Sequence, residues 1–378
     1  MSVHCAYFDA QRCRSCSDIE LPYADQLARK QLGLQKQLAD WPDLHWLPPV
    51  ASAVRGFRSK AKMAVGGSVE SPTLGLLDAQ GHAEDLADCL LYPPALSIAF
   101  SPIKRFIGVA RLTPYDITSR RGELKFVLLT LAENSGELML RFVLRSREAL
   151  GRMQLALPSL RANLPQLRVI SVNLQPVPAA IIEGSEEIAL SECQHLRIEL
   201  NGVPFFLRPR GFFQTNQPVA AALYRQAQDW VSHCAPTRVW DLFCGVGGFA
   251  AHCSDESRAV HGIELSEEAI EGARLCASEM GLPKLTFEAR DAAAQLTFPV
   301  DGCPDLVIVN PPRRGIGGDL CAALDSSSVG WLIYSSCNPV SLAADLRRMP
   351  SLQPREARLL DMFPHTSHSE TLVLLERG

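Results

Sequence analysis

From about Arg238 to the C-terminus, short apolar runs rich in β-branched residues alternate with segments of helical period. "RVWDLF", "AVHGIEL", "LTFEARD", "DLVIVNPP" and "GWLIYSS" read as strands, and "GGFAAHCSDES", "SEEAIEGARLCASEMG" and "GDLCAALDSS" as helices among them. Such alternation predicts a parallel sheet covered by helices on both faces, because parallel neighbours need a crossover long enough to hold a helix. The last two strand-like segments, "PREARLLDMF" and "SETLVLLERG", are separated only by "PHTSH", which permits an antiparallel hairpin and no parallel crossover. The expected fold class is therefore α/β, with a mostly parallel seven-stranded sheet whose last strand is antiparallel.

A chain of 378 residues is long for one core, so further domains should precede this sheet. The N-terminal half reads as α+β: a helix in "YADQLARKQLGLQKQLADW", then strand-like "FRSKAKMAVGG", "LKFVLLTLA", "LMLRFVLR", "RVISVNLQP" and "FFLRPRGFFQ". The expected division is a cysteine-bearing region over 1–92, a central α+β domain over 93–205 and the α/β domain over 206–378. Apolar stretches stop well short of a bilayer span, and "MSVHCAYFDAQRCRSC" lacks the apolar core of a secretory signal, so a cytoplasmic protein is expected. A net charge of −4 argues against indiscriminate coating of nucleic acid but leaves room for local basic patches. Nothing suggests an obligate oligomer, and a monomer is expected.

In "DLFCGVGGFAA", Asp241 ends a strand and Gly245, Gly247 and Gly248 open a helix. Glycines there let the backbone approach a ligand, and a helix N-terminus favours an anionic group. Gly245-x-Gly247-x-x-Ala250 also satisfies the dinucleotide fingerprint, and Glu264, about twenty residues on, stands where an acid can bind ribose hydroxyls. Asp291, closing "FEARD", can accept from an adenine amino group. NAD and S-adenosylmethionine (SAM) fit these positions equally. The antiparallel last strand makes the region similar to SAM-dependent methyltransferases of the Rossmann-like class. "NPPRRG", Asn310 to Gly315, ends the fourth strand at the edge where ligands bind in open α/β sheets. An N-P-P tripeptide suggests amine methylation, but Arg313 stands where an aromatic base-stacking residue would be needed, which counts against adenine. The prolines can also simply end a strand.

Cys337, in "YSSCNP", ends the fifth strand beside the fourth and should face the same crevice. Carbon 5 of uracil is too weak a nucleophile to take a methyl group from a sulfonium unaided. A thiolate added at carbon 6 makes carbon 5 an enolate carbon, and a base must later remove the proton there. Within "PHTSHSET", Glu370 is the preferred base. His365, His368 and Glu370 make a poor match to helical zinc motifs, and a solvated turn carboxylate is the plainer alternative.

Twelve cysteines in a chain with no export signal point to metal binding, catalysis or burial. Cys5, Cys13 and Cys16 crowd the start and Cys89 follows far downstream. The spacing lacks paired C-x2-C knuckles, and four thiolates can hold zinc or an iron–sulfur cluster or can simply be buried. For RNA contact, Arg58, Lys60 and Lys62 share a face if "RGFRSKAKM" is a strand. Arg208, Arg210, Arg313 and Arg314 are further phosphate candidates. Phe212 or Phe213 can stack on a flipped base or belong to the core.

"DLFCGVGGF", "NPPRRG", "YSSCN", "MFPHTSHSET" and "CAYFDAQRCRSC" together resemble the bacterial RNA (uracil-C5)-methyltransferase family, and the whole chain is similar to its subgroup acting on uracil747 of 23S ribosomal RNA. The resemblance implies Cys337 as nucleophile and Glu370 as base. It implies SAM binding at Gln214, Phe243, Glu264 and Asn310, with Gly245 in the glycine loop and Asp291 as an addition. It also implies a [4Fe–4S] cluster on Cys5, Cys13, Cys16 and Cys89, with a structural part, and 23S rRNA as partner. Related enzymes often carry a small N-terminal β-barrel for RNA binding, and none is expected here, where the cysteines stand at the start. The rival expectation is an iron–sulfur oxidoreductase using the glycine loop for NAD or a flavin, which leaves "NPPRRG", Cys337 and Glu370 without a task.

Overall fold

The computed structural model describes residues 3–78, 81–178, 181–292, 298 and 302–378. They form two compact units, one from Ser17–Ala53 and Glu199–Gly378, the other from His4–Cys16 and Val54–Ile198.

The first unit is built on one eight-stranded sheet. Its strands are β1 (His45–Trp46), β2 (Arg238–Leu242), β3 (Ala259–Glu264), β4 (Leu285–Ala289), β5 (Leu306–Val309), β6 (Trp331–Ser336), β7 (Leu352–Leu360) and β8 (Glu370–Arg377). They lie in the order β1-β7-β8-β6-β5-β2-β3-β4. β8 is antiparallel to both neighbours and every other pairing is parallel. This is the expected sheet with one addition, the two-residue β1 paired to β7 at the edge. All four residues of β5 and five of the six in β6 are buried, as strands covered on both faces should be. Leu242, Ile263, Val307, Val309, Leu332 and Val373 share one core.

The helices of this unit are α1 (Tyr23–Gln37), α2 (Gln217–Cys234), α3 (Gly248–His252), α4 (Glu267–Met280), α5 (Gly318–Ser326) and α6 (Pro339–Arg347). Their starts follow from local chemistry. Asn216, Ser266 and Asn338 cap α2, α4 and α6 by accepting from the backbone N–H of Val219 (3.4 Å), Ala269 (3.3 Å) and Val340 (3.1 Å). Pro339 stands at the first turn of α6, where no N–H is needed, and Gly281 closes α4 in the left-handed conformation.

The second unit holds a seven-stranded sheet in the spatial order Ala83–Asp85, Pro72–Leu77, Lys60–Gly67, Leu124–Leu131, Leu138–Leu144, Leu167–Leu174, Glu186–Ala189. Only Leu138–Leu144 and Leu167–Leu174 run parallel, joined through the helix Leu150–Asn163. That helix and Phe100–Val109 bury Ile103, Phe106, Ile107, Met153, Leu157 and Leu160 against the sheet.

The boundaries differ from the expected three consecutive segments. Residues of the first two expected segments build one sheet, while Ser17–Ala53 belongs with the α/β unit, because β1 extends its sheet and α1 packs polar side chains onto the turn between β7 and β8. Among the described residues, no helix is long and apolar enough to cross a membrane.

Candidate active site

The carboxyl ends of the parallel strands gather the predicted residues at one edge. Phe243 follows β2, Glu264 ends β3, Asp291 follows β4, Asn310 follows β5 and Cys337 follows β6. Parallel register fixes their common level, with Leu242 paired to Val309, Val309 to Tyr334 and Leu242 to Ile263. Gln214 is buried in the segment entering α2, two residues before Asn216. The Asn216 amide donates to Met362 O (3.3 Å) and Ser52 Oγ (2.8 Å), tying that segment to the turn after β7.

The loop after β2 is tightly shaped. Phe243, Gly245 and Gly247 have φ of 62°, 55° and 82°. An added Cβ at Gly247 would strike the Phe287 ring at 2.8 Å and one at Gly248 the Tyr224 hydroxyl at 2.4 Å, so these glycines serve packing. At Gly245 a Cβ would meet nothing within 4 Å, leaving that backbone open to a ligand. Glu264 accepts from Gly245 N (3.2 Å) and Ser266 N (2.9 Å), which holds its carboxylate over the loop with lone pairs left for hydroxyl donors. Behind it Asp241 is fully buried, with one oxygen accepting from Ala250 N (2.9 Å) and the other without a hydrogen-bond partner. Burial, aided by the Glu264 charge and opposed by the Ala250 N–H, pushes the Asp241 carboxyl up to about 8. The open backbone at Gly245 and the Glu264 carboxylate suit the methionine and ribose portions of SAM.

Cys337 and Glu370 are brought together by strand register. β6 pairs with β8 so that Ser335 faces Leu372 and Ser336 faces Thr371, and Cys337 and Glu370 are the next residues along the two chains, near enough for the Glu370 charge to act on the thiol. The Ser335 hydroxyl donates to Glu370 Oε1 at 2.7 Å. Glu370 is buried, and burial pushes its carboxyl up to about 7 against the Ser335 hydrogen bond. The half-buried Cys337 thiol is raised by burial and by the Glu370 charge, and the nearby positive charge of Arg313 lowers it. The structure thus gives Arg313 a task that its reading as a phosphate contact missed. Its loop is fixed on both sides. Asn338 Nδ2 donates to Arg313 O (2.8 Å), and the buried Asp345 accepts from Ile316 N and Tyr334 OH, both at 2.8 Å.

Other candidates fall out differently. Phe212 is 68% exposed, while Phe213 is buried against Phe205, 5.4 Å between ring centroids, so only Phe212 is free to stack on a base. Arg208 is paired with Glu271 at 2.5 Å. Lys60 and Lys62 share a strand face, but Arg58 precedes the strand, donates to Lys60 O (3.2 Å) and adds its positive charge near Cys16 and Cys89. His365 is buried against Gln26 and His368 is exposed.

Cys5, Cys13, Cys16 and Cys89 are free and partly exposed. Burial, then repulsion from Cys89, Cys13 and Cys5, pushes the Cys16 thiol up to about 12, and Cys89 is raised by burial, with further contributions from Cys13 and Cys5. Four thiols therefore share one neighbourhood, a donor set suited to soft metals. Among the described residues, however, no group of three or more His, Cys, Asp or Glu is arranged to hold a metal ion, so the metal centre implied by the resemblance is not displayed.

The fold and the carboxyl-edge site define a SAM-dependent methyltransferase. The sequence profile described as tRNA (Uracil-5-)-methyltransferase matches residues 300–378, which carry Asn310, Cys337 and Glu370. The 23S rRNA (uracil(747)-C(5))-methyltransferase RlmC of Shigella sonnei (strain Ss046) is 49% identical over 373 residues, spanning 99% of each chain. The protein of that name from Escherichia coli (strain K12) matches with the same identity and coverage. Among solved structures, the Pyrococcus abyssi tRNA (uracil-54, C5)-methyltransferase in complex with S-adenosyl-L-homocysteine superposes with a TM-score of 0.81 at 25% identity, covering 95% of this chain and 85% of that one. The chain belongs to the RNA (uracil-C5)-methyltransferase family, alongside the RlmC enzymes. The oxidoreductase alternative falls away, since relatives spanning the whole chain are methyltransferases.

Proposed function

We propose that the protein methylates carbon 5 of a uridine in 23S ribosomal RNA, the position numbered 747 in its RlmC relatives, and does so in the cytoplasm as a monomer. The observation that carries the chemistry is the proximity of Cys337 and Glu370 just past the end of the β6–β8 register. SAM, when bound along Gln214, Phe243, Gly245, Glu264, Asp291 and Asn310, supplies an electrophilic methyl group. The Cys337 thiolate, favoured by Arg313, adds to carbon 6 of the flipped uracil, forming a C–S bond and moving the ring electrons onto carbon 5 and the carbon 4 oxygen. Once carbon 5 carries the methyl group, the Glu370 carboxylate takes its proton, the carbon 5–carbon 6 double bond re-forms, and the thiolate leaves. A carboxyl near 7 is suited to both taking that proton and returning it to water. Phe212, exposed in the segment before α2, is the aromatic residue proposed to stack on a base.

5-Fluorouridine-substituted 23S fragments test this reading. Fluorine cannot leave carbon 5 as a proton, so with SAM present a denaturing gel should show a protein–RNA band whose adduct maps to Cys337. Absence of that band with the RNA bound and SAM present would overturn it.

We also infer that Cys5, Cys13, Cys16 and Cys89 hold a [4Fe–4S] cluster that staples the start of the chain to the loop at Cys89. The shared thiol neighbourhood supports this, and a cubane separates its four cysteine sulfurs more widely than a single ion does. Anaerobically purified protein should contain about four irons per chain with the broad visible absorption of such clusters, and Cys16→Ser should lose most of both. Zinc in place of iron would refute the assignment.

A further inference from the structure

Helix α1 carries polar residues where a packed helix normally carries apolar ones. Tyr23, Gln26 and Lys30 are spaced three and four apart and so lie along one face. Gln26 is 1% exposed and Lys30 6%. All three are spent on the turn between β7 and β8, which delivers Glu370. Lys30 Nζ donates to Asp361 Oδ1 at 2.6 Å and to Phe363 O at 3.0 Å. Tyr23 OH donates to Asp361 Oδ2 at 2.9 Å. Gln26 Oε1 accepts from His365 N at 2.8 Å, and its amide nitrogen lies 3.3 Å from His365 Nδ1. The backbone N–H of Asp18, just before α1, donates to His365 O at 2.9 Å.

Alternate residues of the turn, 361, 363 and 365, are thus gripped from one element. The grip also meets a local need, since His365 has φ of 66°, a left-handed conformation that a non-glycine residue adopts only when its surroundings hold it. Beyond His365, Thr366 Oγ1 donates to Phe363 O (2.8 Å) and accepts from His368 N (3.2 Å). Glu370 is then the first residue of β8, paired to Leu360 on one side and one residue before Thr371, which pairs with Ser336, on the other. A turn free to shift would let this end of the strand fray, and the carboxylate would move relative to the ring proton it must reach.

We propose that Gln26 and Lys30 are positioning residues for the proton-abstraction step, acting through the 361–365 turn on Glu370. The proposal rests on Glu370 being the base. It assigns to α1 an effect on one step only. Addition of the thiolate and transfer of the methyl group depend on β6, the Arg313 loop and the SAM site, whose Gln214 segment meets this turn through Asn216 and Met362 O rather than at 361, 363 or 365. Elimination depends on where the Glu370 carboxylate stands.

The test uses full-length protein with its metal content verified, ordinary 23S fragment RNA and SAM, quenched at intervals onto denaturing gels. Gln26→Leu should form the methylated covalent adduct at close to the normal rate but resolve it about 10–100-fold more slowly, so the adduct accumulates, with SAM affinity unchanged. Gln26→Glu, which keeps an acceptor for His365 N, should recover most of the resolution rate. Lys30→Met combined with Asp361→Leu strands no charge and carries the test alone if Gln26→Leu does not fold. Folded variants that resolve the adduct at the normal rate, or that slow formation and resolution equally, would overturn the proposal. Failure of the reading beneath it would look different: unaltered protein would not be trapped by 5-fluorouridine RNA, or Glu370→Gln would turn over normally.

Discussion

Replacing Cys337 with alanine should abolish methylation, by about 10⁴-fold or more, while leaving SAM affinity within a few-fold of normal. The reason is chemical. No other side chain at the carboxyl edge of β6 can add to carbon 6, and without that addition carbon 5 cannot attack a sulfonium methyl group. The residues proposed to hold SAM sit on other strands: Phe243 and Gly245 after β2, Glu264 on β3, Asn310 after β5. The fold should barely notice the change. The thiol is half-buried and lies outside the core cluster of its sheet, so a loss of under about 1 kcal/mol is expected. The variant should also fail to form a covalent band with 5-fluorouridine RNA. Calorimetry with SAM, a methyl-incorporation assay and the denaturing gel together check this. Methylation persisting in the alanine variant would remove Cys337 as the nucleophile, and loss of SAM binding would show a structural role instead.

The α/β unit was legible because its two periodicities alternate cleanly. Strands such as "DLVIV" are apolar throughout, as buried parallel strands must be, and their ends carry glycine, proline or a capping residue. The short turn "PHTSH" was enough to predict the antiparallel last strand that β8 proves to be. The other unit was harder. "LMLRFVL" hides Arg141, fully buried because Glu187 accepts from its Nε (2.9 Å) and Glu183 lies 2.9 Å from Nη1; that compensation comes from over forty residues away, as the separation of 46 to Glu187 shows. The helix Leu150–Asn163 contains Pro158 and escaped notice, although Met153, Ala156, Leu157 and Leu160 form its buried stripe.

Within the site, the ends of strands announced themselves, but partnerships across the fold did not. Arg313 next to Cys337, Ser335 beneath Glu370 and Asp345 beneath the Arg313 loop follow from strand order and register, which no local pattern contains. Lys30 and Gln26 are polar residues of a segment that the sequence marks only as a helix. Their burial depends on a turn more than three hundred residues away, the separation of Lys30 from Asp361 being 331. Buried polar groups on a helix face were the signal available, and it becomes visible only once the face is known.

Replacing Glu370 with glutamine should slow turnover by about 10³-fold and leave a stable, methylated protein–RNA adduct. Thiolate addition and methyl transfer need no base at carbon 5, so both should proceed; elimination then waits for a proton acceptor that glutamine cannot be. The same side chain sets the acid limb of the pH profile. A base pushed up to about 7 by burial is ionised only above that value, so activity should rise through pH 7 and keep rising until the Cys337 thiol, raised by burial and by the Glu370 charge, is ionised too. Stability should move the opposite way. The ordinary carboxyl value is 4.5 and the folded one about 7, so below 4.5 both states hold the proton and nothing is lost. Between 4.5 and about 7 the unfolded chain releases its proton while the folded one retains it, and native stability falls as pH rises. Glutamine carries no charge to bury. The variant should therefore match the unaltered protein in denaturant unfolding at pH 4 and exceed it by up to about 3 kcal/mol above pH 7. A less active yet more stable enzyme at neutral pH is the expected mark of a carboxylate buried for its chemistry; equal stability at both pH values would show that Glu370 is not held in the protonated, desolvated state from which this argument starts.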